Sequence, residues 1–248
     1  MKKLILKLFV AFVVLPAVIA GSMYWLNENG FFNINQVEIV LVDSPESQAN
    51  FYSPMADKLE KQMLSFKGQS LWSVKLSQVV GILNSQNWIE HHSISRSWPS
   101  VLTVKIKPHD IKLVYLGKNG KYMPIISDGS FLDTVDSRQA PDVMLVEGEN
   151  FLQQKQLRQK AVKVLKEIPT EGSFSKKTIS EMRYDTKDGF SMTLMKTGIK
   201  VKMGEEQVGI KSARVSQVVD YLQTRQFDAR VIDANLSKKV LVRLRNDP

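Results

Sequence analysis

Residues Leu8–Leu26, LFVAFVVLPAVIAGSMYWL, carry no charge, and that one property limits what the rest of the chain can become. At about 1.5 Å of rise per residue, a helix over this stretch reaches about 28 Å. That just crosses the ~30 Å hydrocarbon core of a bilayer with every backbone polar group satisfied internally. Lys2, Lys3 and Lys7 precede the stretch, and the first acid, Glu28, follows it. The positive-inside bias therefore predicts a cytoplasmic tail over 1–7, a transmembrane helix over 8–26 and an outward-facing remainder. Tyr24 and Trp25 suit the far interface, where amphipathic rings settle. Val18-Ile-Ala20 also fits the small-residue cleavage site of a secretory signal peptide, although the apolar run continues past it through Met23–Leu26. A core helix of a soluble protein would show a polar stripe, and this run has none.

Composition then removes whole classes of chemistry. The 248 residues include no cysteine, so disulfides, thiolate metal sites and cysteine nucleophiles are all excluded. Folding must rest on packing, for which an apolar fraction of 43% is sufficient. His91, His92 and His109 are the three histidines, too few and too clustered to supply the converging ligands of a metal site. No cofactor is expected. The net charge of +9 is spread along the chain without a basic block or an aromatic-interleaved stripe, which argues against nucleic acid as a partner. A solvated surface near anionic headgroups accounts for it.

Hydrophobic periodicity gives the order of elements. Asn33–Val42 reads as a strand, and Ser53-Pro54 as the start of a helix that Gly68 stops. Lys75–Leu83 reads as a second helix. Trp88–Arg96 and Val101–Lys107 form a hairpin around Pro99, with Leu102, Val104 and Ile106 alternating against Thr103, Lys105 and Lys107. Beyond Pro108 the texture changes to short strands at Ile111–Leu116, Tyr122–Ile126 and Ser130–Val135, separated by Lys118-Asn-Gly120 and Asp128-Gly129. A helix is expected over Phe151–Ile168, then strands over Ile179–Tyr184, Phe190–Met195 and Ile199–Met203. A long helix over Glu205–Thr224 should bury Val208, Ala213, Val215, Val218, Val219 and Leu222. Strands at Arg230–Asp233 and Lys239–Arg245 close the pattern.

Three catalytic patterns come close without matching. Gly204–Ser212 resembles a phosphate loop with one residue too many, and Glu205 with Glu206 would repel phosphate. Those acids read better as complements to a helix macrodipole. Ser173-Phe-Ser-Lys176 and Lys196-Thr-Gly198 imitate two marks of penicillin-recognising enzymes but lie too close together. The paired carboxylates Glu147/Glu149 and Asp185/Asp188 fall in turns, where acids are ordinary. No catalytic residue is assigned.

The stretch Trp88-Ile89-Glu-His-His-Ser-Ile-Ser-Arg-Ser-Trp98-Pro99-Ser-Val-Leu102 resembles the signature that closes the POTRA domain of the FtsQ division proteins, called DivIB in Gram-positive bacteria. Trp98-Pro99 makes a fixed turn, Leu102 begins the buried alternation, and Trp88 and Trp98 both read as packing residues. The segments Met192–Leu194, Ile199–Gly204 and Val231–Leu236 are also similar to the family. Asn235-Leu236 and Lys238-Lys239 depart from its usual Arg-Tyr and Ser-Gly.

The resemblance implies an α+β protein with a single N-terminal transmembrane helix, a small β-α-α-β-β POTRA domain over 33–108 and a mixed β-sheet domain with two helices over 109–248. It implies a non-enzymatic scaffold of the divisome at the septum of the inner membrane. The bulk of the chain would be periplasmic, holding the bitopic proteins FtsB and FtsL and meeting other division components through the POTRA domain. Partner binding is expected at a terminal edge strand and its approach, Asn235, Leu236, Lys238, Lys239, Val240, Leu241, Val242 and Arg243, with Arg183 and Lys187 nearby. Val240, Val242 and Leu244 should face one side, and Leu241, Arg243 and Arg245 the other. Strand-helix-helix-strand-strand units also serve polypeptide-binding chaperone and secretion modules, and that reading stays open.

Overall fold

The computed structural model describes residues 10–236 and 239–245 and divides into two compact units. The first comprises residues up to Ser44 together with Tyr52–Pro108; the second comprises Pro45–Phe51 and the chain from His109 onward.

In the first unit a π-helical turn over Val10–Val14 leads into α1, Leu15–Glu28. Pro16 sits in the first turn of α1, where the π-helical turn before it gives way to α-helix. The helix runs two residues beyond the expected end at Leu26; Leu8, Phe9 and the lysines before them lie outside the described residues. Ala11–Glu28 is long and apolar enough to cross a membrane. Strand β1, Gln36–Leu41, is shorter than the expected 33–42, because Asn33 makes only an isolated bridge to Ser70.

Helix α2, Ala49–Met63, begins four residues before Ser53. A 3-10 turn over Glu46–Gln48 feeds it directly, so Ser53 is not its cap and Pro54 lies inside it. A proline this early withholds one bond, to the Asn50 carbonyl, and leaves the later turns intact. Helix α3, Leu76–Asn84, and the hairpin of β2, Ile89–Ser97, with β3, Val101–Pro108, complete the unit. Strand β3 lies centrally, parallel to β1 and antiparallel to β2. Leu102, Val104 and Ile106 are fully buried with Leu59, Met63, Val79 and Leu83.

Of the two signature tryptophans, only Trp88 is core. It is 4% exposed and stacks on Tyr52 with centroids 5.8 Å apart. Trp98 is 54% exposed and packs from outside the core, edge-to-face on the buried Phe32 with centroids 5.0 Å apart. It belongs to the turn between β2 and β3, outside the alternation that turns side chains inward.

The second unit is built on one sheet of eight strands in the order β11-β10-β9-β8-β7-β6-β4-β5. Their ranges are β4 Ile111–Leu116, β5 Tyr122–Ile126, β6 Leu145–Glu147, β7 Ile179–Asp185, β8 Gly189–Leu194, β9 Lys200–Gly204, β10 Ala229–Asp233 and β11 Leu241–Leu244. Strand β6 falls between the expected elements. Ser130–Val135 is not a strand: it touches β5 only at two separate bridges, Phe131 to Ile125 and Val135 to Tyr122.

The helix expected over Phe151–Ile168 is two helices, α4 Glu149–Gln153 and α5 Lys155–Glu167. Gln154 between them is extended. The break is stabilised by Arg158, whose buried guanidinium donates to the carbonyls of Phe151 (2.6 Å), Leu152 (3.1 Å) and Gly129 (2.6 Å). These bonds satisfy acceptors that the end of α4 leaves without intrahelical partners.

Helix α6, Val208–Thr224, starts three residues after Glu205, with Gln207 left-handed at φ 56° before it. The two acids therefore do not complement its dipole. Glu205 instead joins α5 to the sheet, accepting from Lys160 Nζ (2.9 Å) and the Tyr184 hydroxyl (2.8 Å). These donors, Lys160 first, hold its carboxyl below the usual range. Val208, Val215, Val219 and Leu222 are buried as expected, Val218 is half-buried and Ala213 is exposed. Lys211 and Ser212 take the inward positions on the next turn.

Candidate interaction surface on the eight-stranded sheet

Period-two alternation sorts the sheet of the second unit into two faces. Val146, Met182, Met192, Val201, Ile232 and Val242 are register partners running from β6 to β11. All belong to or pack against the core that α5 and α6 share with the sheet. One residue further along each strand, the opposite face carries the row Glu147–Arg183–Ser191–Lys202–Asp233–Leu241. Beside it runs Leu145–Glu181–Thr193–Lys200–Val231–Arg243. The sheet therefore presents an accessible, mostly polar face on which charges of both signs alternate.

The charges on that face are largely paired. Arg183 Nη2 meets Glu147 Oε2 at 2.6 Å and its Nε meets Glu181 Oε1 at 3.3 Å. Lys202 Nζ meets Asp188 Oδ2 at 2.6 Å, a bond that raises the Lys202 pKa, while the nearby Arg243 guanidinium opposes the rise. Lys202, Asp188, Asp233 and Lys200 were not among the expected site residues; strand alternation was the signal that could have found them.

Two glycines set the geometry at one end of these strands. Gly189 and Gly204 have φ of +71° and +74°, and a Cβ on Gly189 would lie 2.9 Å from the Gly204 backbone. Asn235 crosses this point, its Nδ2 3.5 Å from the Asp188 carbonyl and its N–H bonded to Asp233 Oδ1 at 3.0 Å.

The two outer strands differ. Strand β5 is shielded: Tyr122 and Val135 exchange backbone bonds at 2.8–2.9 Å, and Leu132 donates to the Pro124 carbonyl. Pro124 itself has no donor to offer. Among the described residues, strand β11 has β10 on one side and no strand on the other. Val240, Val242 and Leu244 pack against the core, whereas Leu241 (53% exposed) and Arg243 point outward. Arg245 fastens its end, with Nε 2.9 Å from Asp228 Oδ1 and Nη2 donating to the Thr197 carbonyl. Leu236 and Lys239 are exposed on the approach to β11, and Lys238 lies outside the described residues.

Arg183 and Lys187 are not beside this edge. Arg183 shares a register row with Leu241, but β8, β9 and β10 intervene, which at about 4.8 Å per strand separates them by about 19 Å. Lys187 lies in the β7–β8 turn, its N–H bonded to Asp185 Oδ1.

The patterns that imitate enzymes are engaged otherwise. The Ser173 hydroxyl bonds Asp220. Lys211, which would have served a phosphate loop, is buried and donates to the Met203 carbonyl at 2.8 Å, and burial lowers its pKa. Among the described residues no group of three or more His, Asp or Glu side chains is placed to hold a metal ion.

An apolar helix fit for a single membrane pass, with a mixed α+β sheet domain later in the chain, defines a class of bitopic membrane proteins. Within it, residues 114–235 match the model described as "Cell division protein FtsQ/DivIB, C-terminal". Over that segment the chain is similar to the C-terminal domain of the FtsQ/DivIB cell division proteins. It is 26% identical over 187 residues to the cell division protein FtsQ of Geobacter sp. (strain M21), covering 71% of this chain and 66% of that one. Over 185 residues it is 23% identical to the FtsQ of Syntrophotalea carbinolica, at 71% and 64% coverage. The FtsQ of Geotalea daltonii is 20% identical over 188 residues, at 71% and 66%. The matches thus span slightly less than two thirds of these relatives' own lengths.

Proposed function

We propose that the chain is a non-enzymatic scaffold of the division machinery. It is tethered by α1 with its N-terminus cytoplasmic, and it recruits FtsB- and FtsL-type bitopic proteins on the periplasmic side at the septum. The observation that supports this reading is the contrast between the shielded β5 and the outermost strand β11, which among the described residues has β10 as its one neighbouring strand. A free strand edge offers a row of N–H and C=O groups, and an extended segment can continue the sheet there. Val240, Val242 and Leu244 anchor the template strand from below. Leu241 and Arg243 then meet the incoming side chains, with Leu236 and Lys239 on the approach. Arg183, already paired with two glutamates, acts through the shared charged face rather than at the edge.

Leu241→Pro removes a backbone donor and strand geometry from the edge, and Arg243→Glu reverses its charge. Both variants should lose copurification of an FtsB-type partner while keeping the circular dichroism spectrum and melting temperature of the parent. Retained copurification would overturn the edge assignment. Depletion of the protein separates this role from a polypeptide-binding chaperone or secretion module. A scaffold of division gives smooth filaments with segregated nucleoids, and a secretion module gives envelope-protein defects.

A further inference from the structure

The first unit carries an exposed aromatic cluster that its own core does not use. Phe31, Trp72 and Trp98 are 50%, 52% and 54% exposed, gathered around the buried Phe32. Trp98 meets Phe32 and Trp72 edge-to-face at centroid distances of 5.0 and 5.1 Å, and Phe31 meets Phe32 at 5.2 Å. Three large rings held in one accessible patch are costly in water and mark an interaction surface.

Their position relative to α1 decides the partner. The Phe31 N–H donates to the Leu26 carbonyl at 3.0 Å, so Phe31 closes the last turn of that helix. Ser70 Oγ lies 3.5 Å from Asn27 Oδ1, and the Leu71 N–H donates to the Phe32 carbonyl at 2.8 Å. Trp72 is thus one residue from a segment bonded to the helix exit. Arg96 Nε donates to the Leu71 carbonyl at 2.7 Å and fixes the same segment to β2. Tyr24 and Trp25, at the end of the apolar run, are 68% and 65% exposed. Lys67 lines a cleft of about 540 Å³ with Phe31 and Pro99, placing a cation at the same level.

From this arrangement we infer that Phe31, Trp72 and Trp98 form a second interfacial aromatic belt. They seat the first unit on the headgroup region of the bilayer that α1 enters. Rings with an apolar body and an indole N–H partition to that boundary, and a helix exit bonded directly to the domain holds them there. The span alone would leave the domain free to tilt; the belt fixes which side faces the lipid. The inference rests on α1 spanning the membrane, and the test separates the two.

The full-length chain is reconstituted in phosphatidylcholine/phosphatidylglycerol nanodiscs with or without lipids brominated near the headgroup end of the acyl chains, and tryptophan fluorescence is compared. Two variants are used: Trp25→Phe, which keeps Trp72 and Trp98, and Trp72→Phe/Trp98→Phe, which keeps Trp25. Trp88 is buried in the core and serves as an unquenched reference in both. The expected result is quenching by brominated lipid in both variants, with at least a third of the emission lost in Trp25→Phe. Quenching in the double variant but not in Trp25→Phe overturns the belt while leaving the span intact. Absence of quenching in both overturns the span as well. Should the double variant fail to fold, Trp25→Phe alone still decides the belt, because residue 25 lies in α1, clear of the core.

Discussion

At Asp128 the turn and the ion pair are one device. Lys155 Nζ sits 2.9 Å from its Oδ2, and the Ser130 N–H and hydroxyl each bond it at 2.8 Å. The lysine first, and the serine with it, lower the Asp128 pKa from 3.8 to about 2. A carboxylate held below its unfolded value stabilises the fold above that value, and the contribution is lost as pH falls from about 4 to about 2. The side chain is 56% exposed, so solvent screening limits the effect to about 1 kcal/mol or less. Asp128→Asn should therefore be slightly less stable than the parent at neutral pH, with the difference closing by about pH 2 in acid-titrated thermal melts. A difference that persists at pH 2 would exclude linkage as its cause. The Asp128-Gly129 turn is legible from residue type alone. The guanidinium of Arg158 donating into it is not, because a charged residue in an amphipathic helix ordinarily reads as solvent-facing.

At the scale of elements, β11 is the least secured strand of its sheet. It is four residues long, has one neighbouring strand among the described residues and is fastened at its end by Arg245. Arg245→Ala removes the contacts to Asp228 and Thr197 without touching the core. Amide exchange of the β11 residues bonded to β10 should rise by about tenfold, equivalent to about 1.4 kcal/mol, while β8 and β9 keep their protection. Exchange that rises equally in all four strands would mean that β11 opens only with the whole unit. Strand alternation made the two faces of β11 readable in advance, since Val240, Val242 and Leu244 share one parity. Elements whose form depends on distant partners were misread. The Gln154 break is held by Arg158, the late start of α6 follows the left-handed Gln207, and Ser130–Val135 yields its pairing to the Asp128 turn.

For the whole molecule, retention in the membrane is the property on which the proposed role depends. Helix α1 continues without interruption through Val18-Ile-Ala20 to Glu28, and the segment after it is bonded into the first unit. The chain should remain in the membrane pellet after alkaline carbonate extraction, with an intact mass that includes the residues before Gly21. A mature chain beginning at Gly21 would overturn the anchor and, with it, tethered scaffolding.

By itself the sequence determined the apolar span, the strand-helix-helix-strand-strand order of the first unit and the inward parity of most strands. All are set by short-range composition and by periods of 3.6 and 2.0 residues. Only the tertiary structure decided that β11 is the outermost strand at one side of the sheet while β5 is shielded at the other, that Arg183 stands four strands from β11, and that Trp98 lies outside the core beside Phe32 and Trp72. Strand order and surface clustering bring together residues far apart in the chain. Local pattern states which way a side chain points from its own strand, and only packing states what it meets there.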